Sequence, residues 1–308
     1  MKILITGGAG FIGSHLVEEL LTEENTILVI DNLLTGKEAN LSFQGNFELH
    51  IDDLGSENSL KKITDFNPDI CFHLAAQASV VISVENPALD FEHNILQPIL
   101  LIKTLLNTDC KKFVFSSSGG TIFGEPEKIP TSEIDYSGEP VSPYGVAKKR
   151  LNELIEIMTK DEKMSYSILN FSNVYGPRQD PYGEAGVISI FLNKFLNNEK
   201  PTVYGDGEQT RDYVFVKDVV NALMLSSNTE GNLFLNIGTG VETSVNNLVT
   251  TMKNLFESDI SPIYENARDG ELLRSVLDNS KAQQELGWKP NFDLEKGLLE
   301  VINWLKAK

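Results

Sequence analysis

A phenol and an ammonium group four residues apart can act together as one base, and Tyr144 and Lys148 form such a pair within the run Ser142 to Lys148. A free tyrosine hydroxyl, with a pKa of ~10, removes protons poorly at neutral pH. A cation held beside it favours the phenolate and brings it toward the working range. On a helix, positions four apart share a face about 6 Å from one another. Pro143 after Ser142 marks a helix start, so the pattern predicts a helix over 144–161. The same spacing recurs at Tyr213 and Lys217, but Asp212 to Val216 reads as a strand, where four steps span roughly 13 Å. Tyr144 and Lys148 are therefore the pair predicted to couple. Their chemistry suits taking a proton from a hydroxyl while the carbon below gives up hydride.

A hydride acceptor is implied by the N-terminus. The apolar run Lys2 to Thr6 enters Gly7, Gly8, Ala9, Gly10, Phe11, Ile12 and Gly13, and a helical pattern follows. Glycines allow a tight turn and close approach of a pyrophosphate, while the helix N-terminus supplies donors and a favourable dipole. Asp31, ending the next strand, can accept from both hydroxyls of an adenosine ribose and would repel a 2'-phosphate, so NAD is predicted over NADP. Asp53, after the third strand, is placed toward the adenine. Ser116, Ser117, Ser118 and Thr121 at the end of a later strand offer hydroxyls beside the cofactor, with Gly119 and Gly120 between them.

Positioning these groups requires alternating strands and helices. Strands are predicted at 2–6, 26–30, 47–51, 69–74, 112–116, 166–171 and 233–237, and helices at 11–21, 59–66, 87–106 and 144–161. This is an α/β pattern, a doubly wound parallel sheet of Rossmann type with a smaller mixed α/β lobe. The predicted boundaries are 1–172 for the cofactor domain, with a return near 213–238, and 173–212 with 239–308 for the substrate lobe. Pro98 inside the 87–106 helix predicts a kink or break.

The net charge of -18 opposes tight binding to nucleic acid or an anionic membrane, which needs clustered Lys and Arg. Any anionic substrate must meet local arginines instead. Cys71 and Cys110 have no metal or redox spacing and read as buried reduced thiols. The N-terminal apolar stretch is too short for a signal peptide, and no run reaches transmembrane length. A cytoplasmic protein without a metal is expected.

The text TGGAGFIGSHL at Thr6 to Leu16, DNL at Asp31 to Leu33, HLAAQ at His73 to Gln77, SPYGVAK at Ser142 to Lys148, SNVYGPRQDP at Ser172 to Pro181 and GDGEQTRDYVFVKDV at Gly205 to Val219 resembles the extended short-chain dehydrogenase/reductase family. Within it, the likeness is greatest to the NAD-dependent epimerase/dehydratase branch and its UDP-glucose 4-epimerase group. The resemblance implies an NAD domain, a lobe for a nucleotide sugar and a homodimer built from a helix bundle. It implies Tyr144 as base, Lys148 on the nicotinamide ribose, and Ser118 rather than Thr121 as the third catalytic group. Asn32, Thr35, Gly36, Leu54, Leu74, Ala75, Ala76, Gln77 and Asn94 join the cofactor set. Asn173, Arg211 and Arg268 would meet the substrate diphosphate, Val187 and Tyr204 the nucleotide, and Ser79 and Ser275 the remainder.

The same resemblance narrows the reaction. Dehydratases of the family carry Asp and Glu after the catalytic Thr, and decarboxylases generally a nearby Glu, whereas this chain has Gly119 and Gly120. Epimerisation at C4 of a UDP-hexose is the simplest remaining cycle. Ser275 stands where epimerases restricted to non-acetylated sugars carry Tyr, which predicts room for an N-acetyl group. A nucleotide-sugar 4-ketoreductase and a non-enzymatic NAD-sensing protein are the alternatives. The chain departs from the pattern at Val81, at Asn170 and at Pro98.

Overall fold

Strands that are apolar on both faces must be covered on both sides. Lys2–Thr6 and Thr26–Asp31 are each buried from their second residue onward, and they form the middle of such a sheet. The structure is a computed structural model that describes residues 1–136, 138–181, 186–267 and 272–307.

In chain order its first half comprises β1 (Lys2–Thr6), α1 (Phe11–Leu20), β2 (Thr26–Asp31), β3 (Phe47–Ile51), α2 (Glu57–Phe66), β4 (Ile70–His73), α3 (Val80–Glu85), α4 (Pro87–Phe91), α5 (Gln97–Leu105), β5 (Lys112–Ser118) and α6 (Pro143–Met158). There follow β6 (Ser165–Phe171), β7 (Asn173–Tyr175), α7 (Val187–Leu196), β8 (Thr202–Tyr204), β9 (Thr210–Arg211), β10 (Tyr213–Phe215) and α8 (Val216–Asn228). The chain ends with β11 (Leu233–Ile237), β12 (Thr243–Ser244), α9 (Val245–Phe256), β13 (Ile263–Glu265), β14 (Arg274–Ser275), α10 (Ser280–Leu286) and α11 (Leu294–Lys306).

Seven strands form one sheet in the order β11-β6-β5-β4-β1-β2-β3, every pairing parallel. One apolar cluster, with Ile3, Ile5, Val17, Leu169, Val219 and Trp288, covers one face. A second, with Leu4, Leu28, Leu101, Phe113, Leu151 and Ile155, covers the other. The two sets alternate along the strands as the period of two demands. A third cluster packs α7, α9 and α11 around Tyr175 and Phe215. Phe11 and Ile12 of α1 also touch it, which places the glycine turn against the second half of the chain.

The predicted strand edges shift in one instructive place: β5 runs to Ser118, two residues beyond the expected end. The regular α-helical ladder is interrupted directly ahead of Pro98, where a kink or break was expected. A single π-helical turn at Glu92–Leu96 runs into α5, and Pro98, in the first turn of α5, has no N–H for the carbonyl of Asn94 four residues back, inside that π turn. The disturbance lies ahead of the proline, and the path stays helical. Phe91, Leu96 and Leu100 are exposed along it. Tyr213 and Lys217 straddle the junction of β10 and α8, and Lys217 pairs with Glu300 at 3.0 Å. Cys71 and Cys110 are buried free thiols. Among the described residues no helix is long and apolar enough to cross a membrane.

Candidate active site

The glycine turn is built by one close approach. A Cβ on Gly13 would fall inside contact distance of the Gly7 carbonyl oxygen and 2.7 Å from Gly8 Cα. Only glycine lets the first turn of α1 close over the end of β1. The Asp31 carboxylate lies behind this turn, where Oδ2 accepts from Ala9 N and Oδ1 from Leu33 N, both at 2.9 Å. Burial raises the Asp31 pKa, and those two bonds act against the rise. Two N–H donors leave further lone pairs on its oxygens for ribose hydroxyls.

Around the turn lies a cavity of about 860 Å³. Its walls include Gly7, Gly10, Phe11, Ile12, Gly13, Asp31, Asn32, Thr35, Gly36, Leu54, Leu74, Ala75, Ala76 and Gln77, which gathers most of the predicted cofactor set. Asp53, Asn94, Tyr144 and Lys148 are the exceptions. Asp52 lines the wall, while Asp53 Oδ1 accepts from Asn32 Nδ2 at 2.8 Å. Asn94 is buried and donates to Gln77 O at 2.8 Å and Asp90 Oδ1 at 2.9 Å.

Four wall residues escaped the sequence reading although they fall in a quoted match: Leu33, Arg178, Gln179 and Asp180. Asp180 crosses to Lys37 at 2.6 Å, and Arg178 reaches back to Glu18 on α1. Their partners are more than 140 residues away, so spacing carried no signal. Gln179 Oε1 is buried without a hydrogen-bond partner. A glycine-cut cradle, a carboxylate aimed at its rim and an orphaned polar oxygen fit a dinucleotide.

Tyr144 and Lys148 are carried by α6. Ser142 Oγ accepts from Gly145 N at 3.1 Å, and Pro143 occupies the first helical position. A Cβ on Gly145 would sit 2.8 Å from Thr121 O, so glycine lets this end of α6 close onto the turn that follows β5. That contact brings Tyr144 toward Ser118 and Thr121. Lys148 is buried, and its Nζ lies 5.8 Å from the Tyr144 ring centre and 4.7 Å from the Phe115 ring. The ammonium donates to Ser116 O at 3.0 Å, and Ser116 lines the cofactor cavity. The predicted pair thus meets the cavity through Ser116.

His73 completes the surroundings of the lysine. It lies between the Phe113 and Phe115 rings and shares a 2.7 Å hydrogen bond with Thr6 Oγ1. Burial, reinforced by the charge of Lys148, lowers its pKa to about 3. In the unfolded chain this imidazole titrates near 6.5, so unfolding takes up a proton below that pH. Its contribution is therefore full above pH ~6.5 and is lost as pH falls toward 3. Measured against His73→Phe by urea denaturation, wild-type stability should decline by ~1.5 kcal/mol between pH 6.5 and 5. A constant difference would show that His73 titrates in the fold as it does in the unfolded chain.

A second cavity of about 200 Å³ brings together Asn173 and Val187 with Ser172, Tyr175 and Tyr213. Gln179 lines both cavities, which makes them neighbours. Ser79, Tyr204, Arg211 and Ser275 line neither. Ser79 caps α3 by accepting from Ile82 N at 3.2 Å. Tyr204 lies on β8, and its carbonyl accepts from Gln209 Nε2 at 2.8 Å. Arg211 and Ser275 face each other in register, with the guanidinium donating to Thr210 O and Leu272 O, each at 2.8 Å. Arg268 lies outside the described residues.

Asp212 is the other residue that spacing did not mark. It is buried and receives Thr239 N, Thr239 Oγ1, Gly240 N and Leu277 N at 2.6–3.3 Å. It thereby ties the Arg211 strand to the segments after β11 and β14. Asn170, one of the departures from the family pattern, is buried and donates to Asn236 Oδ1 at 3.2 Å. Val81, another, is exposed on α3. Among the described residues no group of three or more His, Cys, Asp and Glu could hold a metal ion.

Comparison with known proteins agrees with this geometry over the whole chain. The chain is 38% identical over 312 residues to a UDP-glucose 4-epimerase of Mycolicibacterium smegmatis, covering 100% of this chain and 99% of that protein. A Thermotoga maritima UDP-glucose 4-epimerase solved with UDP-glucose superposes with a TM-score of 0.95 at 42% identity, covering 100% and 99% of the two chains. A UDP-N-acetylglucosamine 4-epimerase from Methanobrevibacter ruminantium, solved with UDP-N-acetylmuramic acid, gives 0.92 at 34% identity, covering 99% and 98%. The family model described as NAD dependent epimerase/dehydratase matches residues 3–238, from the glycine cradle through the Tyr144 helix to β11, and the chain belongs to that family.

Proposed function

We propose that the chain interconverts a UDP-hexose and its C4 epimer, accepting UDP-glucose and UDP-galactose and also their N-acetylated counterparts. The observation that supports this most is the single path from Tyr144 through Lys148 and Ser116 to the wall of the glycine-turn cavity. Gly7, Gly10, Gly13 and Asp31 would hold NAD, which supplies reversible acceptance of the C4 hydride when bound. Tyr144 takes the proton of the C4 hydroxyl and later returns it to the oxygen of the 4-keto sugar. The Lys148 ammonium stabilises the phenolate by charge. Ser118, at the end of β5, holds the reacting hydroxyl. Because the proton and hydride both go back, the cycle has no net redox change.

Acceptance of the N-acetylated pair rests on the small Ser275, beside Arg211 in the β9–β14 register, at the position where the resemblance places Tyr in restricted epimerases. Purified protein incubated with UDP-galactose, and separately with UDP-N-acetylgalactosamine, should yield the C4 epimer of each without net NADH formation. Product from the first alone would remove the N-acetyl pair. Stoichiometric oxidation or reduction of the cofactor would replace epimerisation by the ketoreductase reading.

A further inference from the structure

Asp90, on α4, is fully buried, and the chemistry proposed above makes no use of it. Its surroundings can be counted hydrogen by hydrogen. Gln77 Nε2 donates to Ser79 O at 3.0 Å and to Asp90 Oδ1 at 2.7 Å. Asn94 Nδ2 donates to Gln77 O at 2.8 Å and to Asp90 Oδ1 at 2.9 Å. Both amides have then spent all their hydrogens. Two oxygens are left buried with no donor: Asp90 Oδ2 and Asn94 Oδ1. Turning the Asn94 amide over does not help, because its oxygen would then face Gln77 O and Asp90 Oδ1. The cluster lacks one hydrogen, and its two orphaned oxygens belong to the side chains already joined through Asp90 Oδ1 and Asn94 Nδ2.

We infer that Asp90 is carried at neutral pH as a carboxylic acid, whose Oδ2 proton is donated to Asn94 Oδ1 to close a cyclic acid–amide pair. One proton satisfies both orphaned atoms, and an ionised Asp90 satisfies neither. Burial raises the Asp90 pKa in the same direction, with the Gln77 and Asn94 bonds, Lys148 on α6 and His93 on the π-helical turn opposing it. Asp90 is a positioning residue: the neutral pair fixes Gln77, a wall residue of the cofactor cavity. It also keeps a negative charge on Asp90 from offsetting the Lys148 charge that acts on Tyr144. This last consequence rests on the epimerase reading, whereas the protonation state does not.

The test compares Asp90→Asn, which can form the same ring as an amide pair and cannot titrate, with wild type. Folding constants are measured by urea denaturation at pH 5, 6 and 7 with NAD held constant. A group protonated in the fold and ionised when unfolded makes the wild-type to variant ratio fall about tenfold per pH unit. A ratio unchanged from pH 5 to 7 would mean that Asp90 is ionised in the fold, and the inference would fail. Asp90→Ala, which cannot close the ring, should weaken NAD binding about tenfold, and Asp90→Asn should restore it. In turnover assays the acid limb of the pH profile should stay in place for Asp90→Asn. Its displacement to lower pH would show that a negative charge had been removed from beside Lys148. If the chain proves to run another reaction, the folding measurement still decides the protonation state.

Discussion

Tyr144→Phe should lower turnover of the UDP-hexose about 10²–10⁴-fold, the range for removing a positioned general base, and leave NAD binding intact. The substitution removes one oxygen and keeps the ring that lies 5.8 Å from the Lys148 ammonium. The packing of α6 is preserved, because its contacts with the second core are made by Leu151 and Ile155. The loss should fall on kcat, since the hydroxyl acts when the proton moves and not when the substrate docks. Single-turnover measurement of cofactor reduction by bound UDP-sugar should lose its signal to the same degree. Full activity in this variant would remove Tyr144 from the chemistry, and the assignment of Lys148 as its partner with it.

Gly13→Ala should reduce NAD affinity about 5–150-fold, the equivalent of the about 1–3 kcal/mol that overpacking costs. The new methyl meets backbone on every side: Gly7 O and C, and Gly8 Cα. No rotamer change can relieve such a contact, so the turn itself must open. Its N–H groups then leave the positions from which they would meet a pyrophosphate. Calorimetric titration with NAD measures the effect, and a thermal melt of the apoprotein separates it from unfolding. Unchanged affinity in a folded variant would show that the cofactor is not held by this turn.

How far the site could be read in advance depended on the sequence distance between its parts. Gly7 to Gly13, the Asp31 strand end and the Tyr144–Lys148 helix are each local, with geometry set by consecutive residues. A strand–turn–helix needs its glycines where backbone meets backbone, and a helix fixes the relation of i to i+4. Asp52, and not Asp53, lines the cavity wall, because the pattern after a strand end does not settle which side chain faces inward. Asn94, expected on the cofactor, does not line the cavity itself and donates to Gln77 O, a wall residue. Such a relation depends on the π-helical turn at Glu92–Leu96, which no spacing rule announces.

The substrate side was less readable for the same reason. Asn173 and Val187 share a small cavity, but Arg211 pairs with Ser275 between β9 and β14, and its guanidinium reaches Leu272 O, 61 residues away in sequence. Lys37 with Asp180, and Asp212 with Leu277, are likewise long-range pairs. Their partners follow from how lobe and sheet pack, which composition does not encode.

The amino-acid sequence by itself determined the chemical repertoire: a glycine turn for a dinucleotide, a carboxylate for its ribose, and a phenol with an ammonium in reach. These groups depend on local backbone geometry, which a few consecutive residues specify. Tertiary structure alone decided which remote residues face them. In the order β11-β6-β5-β4-β1-β2-β3, spatial neighbours are often far apart in the chain. It is that packing which joins Lys148 to the cofactor wall through Ser116 and seals Asp90 beside Gln77 and Asn94, where the count of buried hydrogens becomes decisive.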